Sequence, residues 1–417
     1  MFFKPLISLF SLLCLAGLPV QAQSLLGLNY PMGIPEHGVS SISQSLGGCG
    51  VAIENDFLGA FNNPANLGST RRTTFSTGVG INLLNIADHG ENTNHLNASL
   101  FAISLSIPVA RFGTFGLSIN PESNPSVRFR TIEQFNKTDI AGNDAEQALF
   151  LPDSVEMGIL RTGNSLSWQI AWGYNLFRKV RIGAALKRYN FYQNTTELLR
   201  SGGTLSNRLI DSAWTRFHTY AFRGGIIVPV KRFSLGLSGE YYFMNDADMS
   251  RFIFGTRAND TLKTPDTYNL KPAPSIAFGG SWQINQQWLV AADAGIRLWD
   301  RYFDASQSTR TIDNTLTLSS GVQFIPAPTL LSPKIYEITQ YRAGLRYSQL
   351  PGADASEFAL TLAAGFPMQT DAGLIDVIIE LARRTDPRFN EYHENIVGLK
   401  IGINAGRKWY KTESGSY

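Results

Sequence analysis

The sequence is poor in cysteine and in charge, and beyond its leading segment it has no long apolar run. Its 417 residues include two cysteines, Cys14 and Cys49. If the leader is removed only Cys49 is left, so no internal disulfide can form, and stability has to come from burial and backbone pairing. No later stretch approaches the roughly 18 consecutive apolar residues of a membrane-spanning helix, which argues against helical insertion. Charged residues make up 17% and the formal net charge is +3, too slight and too scattered for a nucleic-acid partner. The motifs of catalysis are missing too. The five histidines, His37, His89, His95, His218 and His393, show no metal-ligand spacing. Neither a Gly-x-Ser-x-Gly elbow nor a paired-histidine motif occurs. The run Gly47-Gly48-Cys49-Gly50 lacks the preceding strand and following helix of a dinucleotide site. No catalytic residue, metal site or cofactor is expected, and the chain reads as a non-enzyme.

The leader carries Lys4, an apolar run through Leu18, and Val20-Gln21-Ala22 where a signal peptidase could cut. Cys14 follows Leu12-Leu13 inside the apolar run and is not a lipid attachment site. The rest contains 38 Gly, 26 Phe and 15 Tyr, with a mean hydropathy near zero. A barrel produces this mixture, because the two faces of its strands alternate and cancel.

Period-two alternation recurs along the chain at the length a tilted strand needs to cross a bilayer, about 9–11 residues. Leu166, Trp168, Ile170, Trp172 and Tyr174 share one face, while Ser165, Ser167, Gln169, Gly173 and Asn175 share the other. The pattern returns around Leu235 and Leu237, around Val290 and Ile296, and around Leu399 and Ile401. Short and long links in turn predict strands at 72–83, 97–108, 112–131, 165–177, 180–193, 214–229, 232–245, 273–284, 288–301, 314–325, 335–349, 356–367, 373–384 and 395–409. The expected fold is all-β, a transmembrane antiparallel β-barrel of about 14 strands with both chain ends in the periplasm. Ser154 to Leu160 also alternates and is assigned to an outer loop, where it could extend the fourth strand. The link holding Pro326, Pro328 and Pro333 is long for a periplasmic turn. Long outer links are expected at 132–164, 194–213 and 246–272, among others.

Residues 23–70 do not sustain the alternation, and parity puts them beside the periplasmic mouth of the lumen. They are read as an amino-terminal plug, with 1–22 as signal peptide and 71–417 as barrel. Asn63-Pro64-Ala65 within this block also reads as a helix start, with Asn63 as N-cap and Pro64 in the first helical position. In the third strand Asn120, Pro121 and Pro125 interrupt the pattern, since proline cannot donate to a ladder. Two readings stay open: a kink in one wall strand, or a strand that stops near Ile119 and yields to a loop. The inferred lumen face carries Glu240, Asp293, Arg297, Arg342, Arg346, Asp376, Glu380 and Lys400. Such charges suit a salt-bridged interior better than a bare apolar pore.

The stretch Gly47-Gly48-Cys49-Gly50-Val51-Ala52, followed by Ala60-Phe61-Asn62-Asn63-Pro64-Ala65-Asn66-Leu67, resembles the hatch of the long-chain fatty acid outer-membrane transporter family, the FadL and TodX type. The run from Val397 to Tyr410 is similar to the ending of more distant relatives of that family. The resemblance implies a fourteen-stranded barrel, Asn63, Pro64 and Ala65 as the hatch motif, and Asn120, Pro121 and Pro125 as a kink opening sideways toward lipid. The function it implies is passive outer-membrane transport of hydrophobic small molecules such as long-chain fatty acids, with lateral exit. The partners would be a hydrophobic ligand and outer-membrane lipid. The alternative is an outer-membrane barrel that docks a protein partner in secretion or surface assembly.

Overall fold

A computed structural model describes residues 24, 26, 32–37, 39–88, 91–134, 154–177, 179–202, 208–255, 259–263, 270–301, 303–304, 313–329, 333–351, 354–368, 373–388 and 392–407. The leader, with Cys14 and the expected cleavage site at Val20-Gln21-Ala22, lies outside these residues, as do the last positions of the Val397 to Tyr410 run.

Fourteen antiparallel strands close into a barrel. In chain order they are β1 (Thr73–Asp88), β2 (Glu91–Leu100 and Ile103–Pro108), β3 (Thr114–Pro121 and Val127–Gln134), β4 (Ser154–Leu176), β5 (Val180–Gly202), β6 (Arg208–Val230) and β7 (Phe233–Gly255). The circuit continues through β8 (Ser275–Gln283), β9 (Trp288–Arg297), β10 (Thr315–Phe324), β11 (Gln340–Gln349), β12 (Ser356–Pro367), β13 (Gly373–Thr385) and β14 (His393–Arg407). The ladder between β1 and β14 joins the two ends of the sheet, from Thr73↔Arg407 to Ala87↔His393.

Alternation sets the two faces. Trp168, Ile170, Leu235, Leu237, Leu399 and Ile401 are exposed on the outside, whereas Ser165, Ser167 and Gln169 are buried on the inside. An outward apolar band of this kind is stable only against lipid, where each large side chain gains about 1.5–3 kcal/mol over water. Aromatic pairs mark the rim at the short-turn end, with Phe233 stacked on Trp282 at 5.2 Å and Trp288 against Phe324 at 4.4 Å.

Several outer links are shorter than the sequence pattern suggests. β4 to β7 each run for 23 residues. Ser154 to Leu160 is the continuous start of β4, and the expected link 194–213 shrinks to residues 203–207. A tilted strand of that length rises roughly 55–60 Å, about twice the apolar band of a barrel. Above the membrane both faces meet water, so the alternation fades while the backbone ladder continues. The proline-bearing link before β11 holds a single helical turn, α1 (Ile335–Ile338).

Candidate functional site

Residues 40–70 pack against the inward faces of the barrel strands. The turn Ser41–Ser45 is capped by Ser40, whose Oγ accepts from the Ser43 backbone N–H at 3.1 Å. Ile42, Leu46, Cys49, Ile53, Leu58 and Leu67 are each at most 1% exposed. The 3-10 helix Pro64–Ser69 begins at Asn63, whose Oδ1 accepts from the Ala65 N–H at 3.0 Å. Asn63 is fully buried, and its Nδ2 donates to the Val51 carbonyl at 2.9 Å and, at 3.3 Å each, to Ile226 of β6 and Leu237 of β7. Asn66 returns to Gly50 in the same way, at 2.8 Å. These amides close the segment on itself and tie it to the wall.

Wall glycines make the close approach possible. A Cβ at Gly225 would lie 1.9 Å from Asn63 Oδ1, one at Gly183 2.2 Å from the Pro64 carbonyl carbon, and one at Gly344 2.1 Å from the Gly47 nitrogen. Inward carboxylates then hold the segment's polar groups. Asp293 accepts from the Gly50 and Val51 N–H groups at 2.6 and 2.9 Å. Asp376 pairs with Arg342 at 2.7 Å and accepts from Ser41 and Asn404. Burial pushes the Cys49 thiol above its ordinary range, and its S–H points to the Ala291 carbonyl.

The wall is interrupted between β2 and β3. Thr114–Pro121 pairs with β4 from Thr114↔Gly173 to Pro121↔Leu166, and pairing resumes at Val127↔Arg161. The Glu122 N–H still donates to the Ser165 carbonyl of β4 at 3.0 Å, and residues 123–126 then leave the ladder. Ser123 and Asn124 instead pair with Pro35 and Ile34, while Glu36 N–H donates to the Glu122 carbonyl at 2.9 Å. Gly33, at φ +76°, allows this contact, since a Cβ there would meet Asn124 and Pro125 backbone atoms at 2.4 Å. β2 breaks at a similar level. The Phe101 and Ala102 N–H groups turn to the Gly78 and Val39 carbonyls. Below the breaks β2 and β3 are joined from Pro108↔Thr114 to Ile103↔Ile119. Above them, among the described residues, no ladder joins Glu91–Leu100 to Val127–Gln134.

A buried ion chain runs from this break to the Asn63 motif. Lys187, fully buried, lies 2.8 Å from Glu122 and 3.1 Å from Glu240. Glu240 also pairs with Arg223, which donates to the Phe61 carbonyl. Two connected chambers remain inside. One lies behind the break, bordered by Glu36, His37, Asn97, Asn124 and Arg346, and the other is central, bordered by Asn120, Glu122, Glu240 and Asp293. Above these, Met32 packs with Tyr189, Phe191, Phe217 and Trp299, while Leu26 and Ile34 pack with Leu84, Leu350 and Tyr392. Among the described residues no three His, Cys, Asp or Glu side chains are grouped to hold a metal ion.

The structure therefore brings Asn63, Pro64 and Ala65 against β5 to β7, and brings Asn120, Pro121 and Pro125 to the interruption in β3. The two sets are linked through groups that sequence patterning did not single out, Gly33, Glu122, Lys187 and Arg223. Gly33 alone left a signal, an isolated glycine just before a strand-like pair; the ion chain depends on a register that no local pattern encodes. Six of the eight charged positions expected on the lumen face, Glu240, Arg342, Arg346, Asp376, Glu380 and Lys400, are buried in ion pairs, and Asp293 binds backbone N–H groups.

No curated protein matches the chain. Among solved structures it is similar in fold to the Pseudomonas putida toluene transporter TodX, with a TM-score of 0.60 and 14% identity over 90% of this chain and 100% of that one. The Ralstonia pickettii toluene transporter TbuX aligns with a TM-score of 0.57 and 16% identity over 89% of this chain and 98% of that one. A Pseudomonas aeruginosa FadL homologue aligns with a TM-score of 0.56 and 13% identity over 91% and 99% of the two chains. The BamG family model matches residues 7–414, nearly the whole sequence, and the chain belongs to the BamG family.

Proposed function

We propose that this barrel resides in an outer membrane and passes small hydrophobic molecules, long-chain fatty acids among them, from the outside to the lipid through the seam between β2 and β3. In this reading residues 23–70 follow a cleaved signal peptide and serve as the hatch. Asn63, Pro64 and Ala65 hold the hatch to the wall, and Asn120, Pro121 and Pro125 form the lateral opening. One observation carries the proposal: two neighbouring wall strands break at the same level, and an interior chamber is bordered by residues of both. The similar structures, toluene transporters and a FadL homologue, agree with a hydrophobic permeant. The driving force is transfer from dilute water to lipid, about 0.8 kcal/mol per methylene. The test is uptake of labelled toluene and a labelled long-chain fatty acid by cells lacking their own transporter. Uptake should be conferred by the parent and lost in a folded Pro121→Ala, Pro125→Ala variant; uptake unchanged by the variant would refute exit at this break.

A second reading is a docking component for protein secretion or surface assembly. It is favoured by β4 to β7, whose 23 residues raise a wall far above the lipid. Loss of surface-protein release on deletion, with hydrophobic uptake unaffected, would select it.

A further inference from the structure

We infer that the chamber behind the seam receives the head of a membrane amphiphile in which an oxyanion is joined to a hydrogen-bond donor, as in a phosphoethanolamine lipid. The inference deepens the proposed lateral route and rests on the seam facing lipid.

Arg346 is the starting point. It is 3% exposed, and its Nη2 donates to Glu357 at 2.8 Å and to Glu380 at 3.5 Å. Among the described residues its Nε and Nη1 are buried with no partner, and so is Nε2 of His37, which lines the same chamber. Amide oxygens of Asn82 and Asn97, which line the same chamber, are also unmet. A toluene or alkane in this place would leave every one of these groups unpaired, at a cost of about 1–3 kcal/mol each. An oxyanion would accept from Arg346 Nε and Nη1 and from a His37 Nε2–H, while the two amide oxygens call for a donor on the same head.

A bare anion fits less well than an ampholyte. Around the chamber Arg346, Arg384 and Lys400 are balanced by Glu357, Glu380 and Glu394, each within hydrogen-bonding reach of a partner. Glu36 stands outside that balance, with its side chain exposed to the chamber. The extra carboxylate calls for a donor, which an ammonium or hydroxyl on the same head supplies. The lipid origin follows from position. Asn97 belongs to the upper piece of β2, whose Leu96 and Leu100 are 62% and 46% exposed on the outside. A head held at Asn97 and Asn124 can trail its chains between the unpaired strand edges into lipid.

The test uses the full chain purified in detergent, with its folded state verified by heat-modifiable migration. The probes are dihexanoyl phosphatidylethanolamine, dihexanoyl phosphatidylcholine, free phosphoethanolamine and dodecane. Phosphatidylethanolamine should bind at least about tenfold more tightly than phosphatidylcholine, which lacks the N–H donor, and than the free head, which lacks chains. Glu36→Gln, which touches no ion pair of the wall, should erase the preference over choline; Arg346→Gln should weaken both phospholipids. Equal binding of the two lipids would overturn the donor assignment and with it the inference. A free head that binds as tightly as the lipid would make the source soluble and would also overturn it. Dodecane binding with no response to either head would remove the inference while leaving a hydrophobic conduit intact, whereas the uptake assay tests that conduit separately.

Discussion

Asn63 does more than start a helical turn. Its one side chain accepts from Ala65 and donates to carbonyls in the segment and in two wall strands. Asn63→Ala should remove the cap and leave those buried carbonyls short of a donor, costing about 1–3 kcal/mol. The expected outcome is faster amide exchange over residues 63–70 while the strand amides stay protected. The cap was legible in the sequence because Asn-Pro-Ala is short-range chemistry. Lys187, which ties Glu122 to Glu240, was not, since the three residues belong to separate strands and meet only once the register is fixed. His37 makes a pH prediction. Enclosure and the facing Arg346, Arg297 and Arg384 lower its imidazole to about 3, against Glu357 which raises it. The unfolded residue takes its proton near 6.5. Stability from a neutral His37 is therefore present above that value and is lost as pH falls toward 3. Amide exchange of residues 34–37 should speed up between pH 6.5 and 4, and His37→Gln should flatten that rise. A Glu36→Gln background removes the adjacent carboxyl, which burial pushes above its ordinary range, so that the response belongs to His37.

The wall strands were legible because alternation is a local property and every crossing repeats it. Their outer extensions were not, because a strand with water on both faces has no reason to alternate. The interruption in β3 announced itself through Pro121 and Pro125, which cannot donate to a ladder. Its counterpart in β2 left no such mark: Phe101 and Ala102 are unremarkable in sequence, and they turn inward because Gly78 makes room for the Phe101 ring. The interruption is also not an isolated irregularity. Past Glu122 the chain leaves the β4 ladder, and Ser123 and Asn124 pair with Pro35 and Ile34 instead. Gly33 decides whether that second ladder forms. Gly33→Val places a branched side chain at φ +76° against the Asn124 and Pro125 backbone. The expected outcome is loss of the two-residue ladder, seen as an unprotected amide at Glu36, whose N–H donates to the Glu122 carbonyl, while the Glu122 amide, bonded to Ser165 of β4, stays protected and the barrel stays heat-modifiable. Retained protection at Glu36 would contradict the role given to the glycine.

At the scale of the whole molecule the described interior is largely filled, with two chambers left among its polar groups. Leu26 and Ile34 complete one apolar cluster and Met32 another, so these three side chains cover apolar wall surface of the kind a hydrophobic permeant would use. Below them the ion chain and the glycine contacts hold residues 40–70 in place. On the proposed route a hydrophobic molecule would advance by displacing Leu26, Met32 and Ile34, and Ile34 is joined to the break in β3. The motion required is release of Ile34–Pro35 from Ser123–Asn124. A paired register makes it testable, because Ile34 and Asn124 are direct partners whose Cβ atoms in such a pair lie about 4.5–5.5 Å apart. An Ile34→Cys, Asn124→Cys variant should form a disulfide on oxidation. Cys49 should not interfere, since it is fully buried and its thiol is held in the protonated form. Uptake of labelled toluene should fall to background in the oxidised variant and return on reduction. Full uptake through the locked barrel would mean that the leading segment need not move, and the route would then have to bypass the seam.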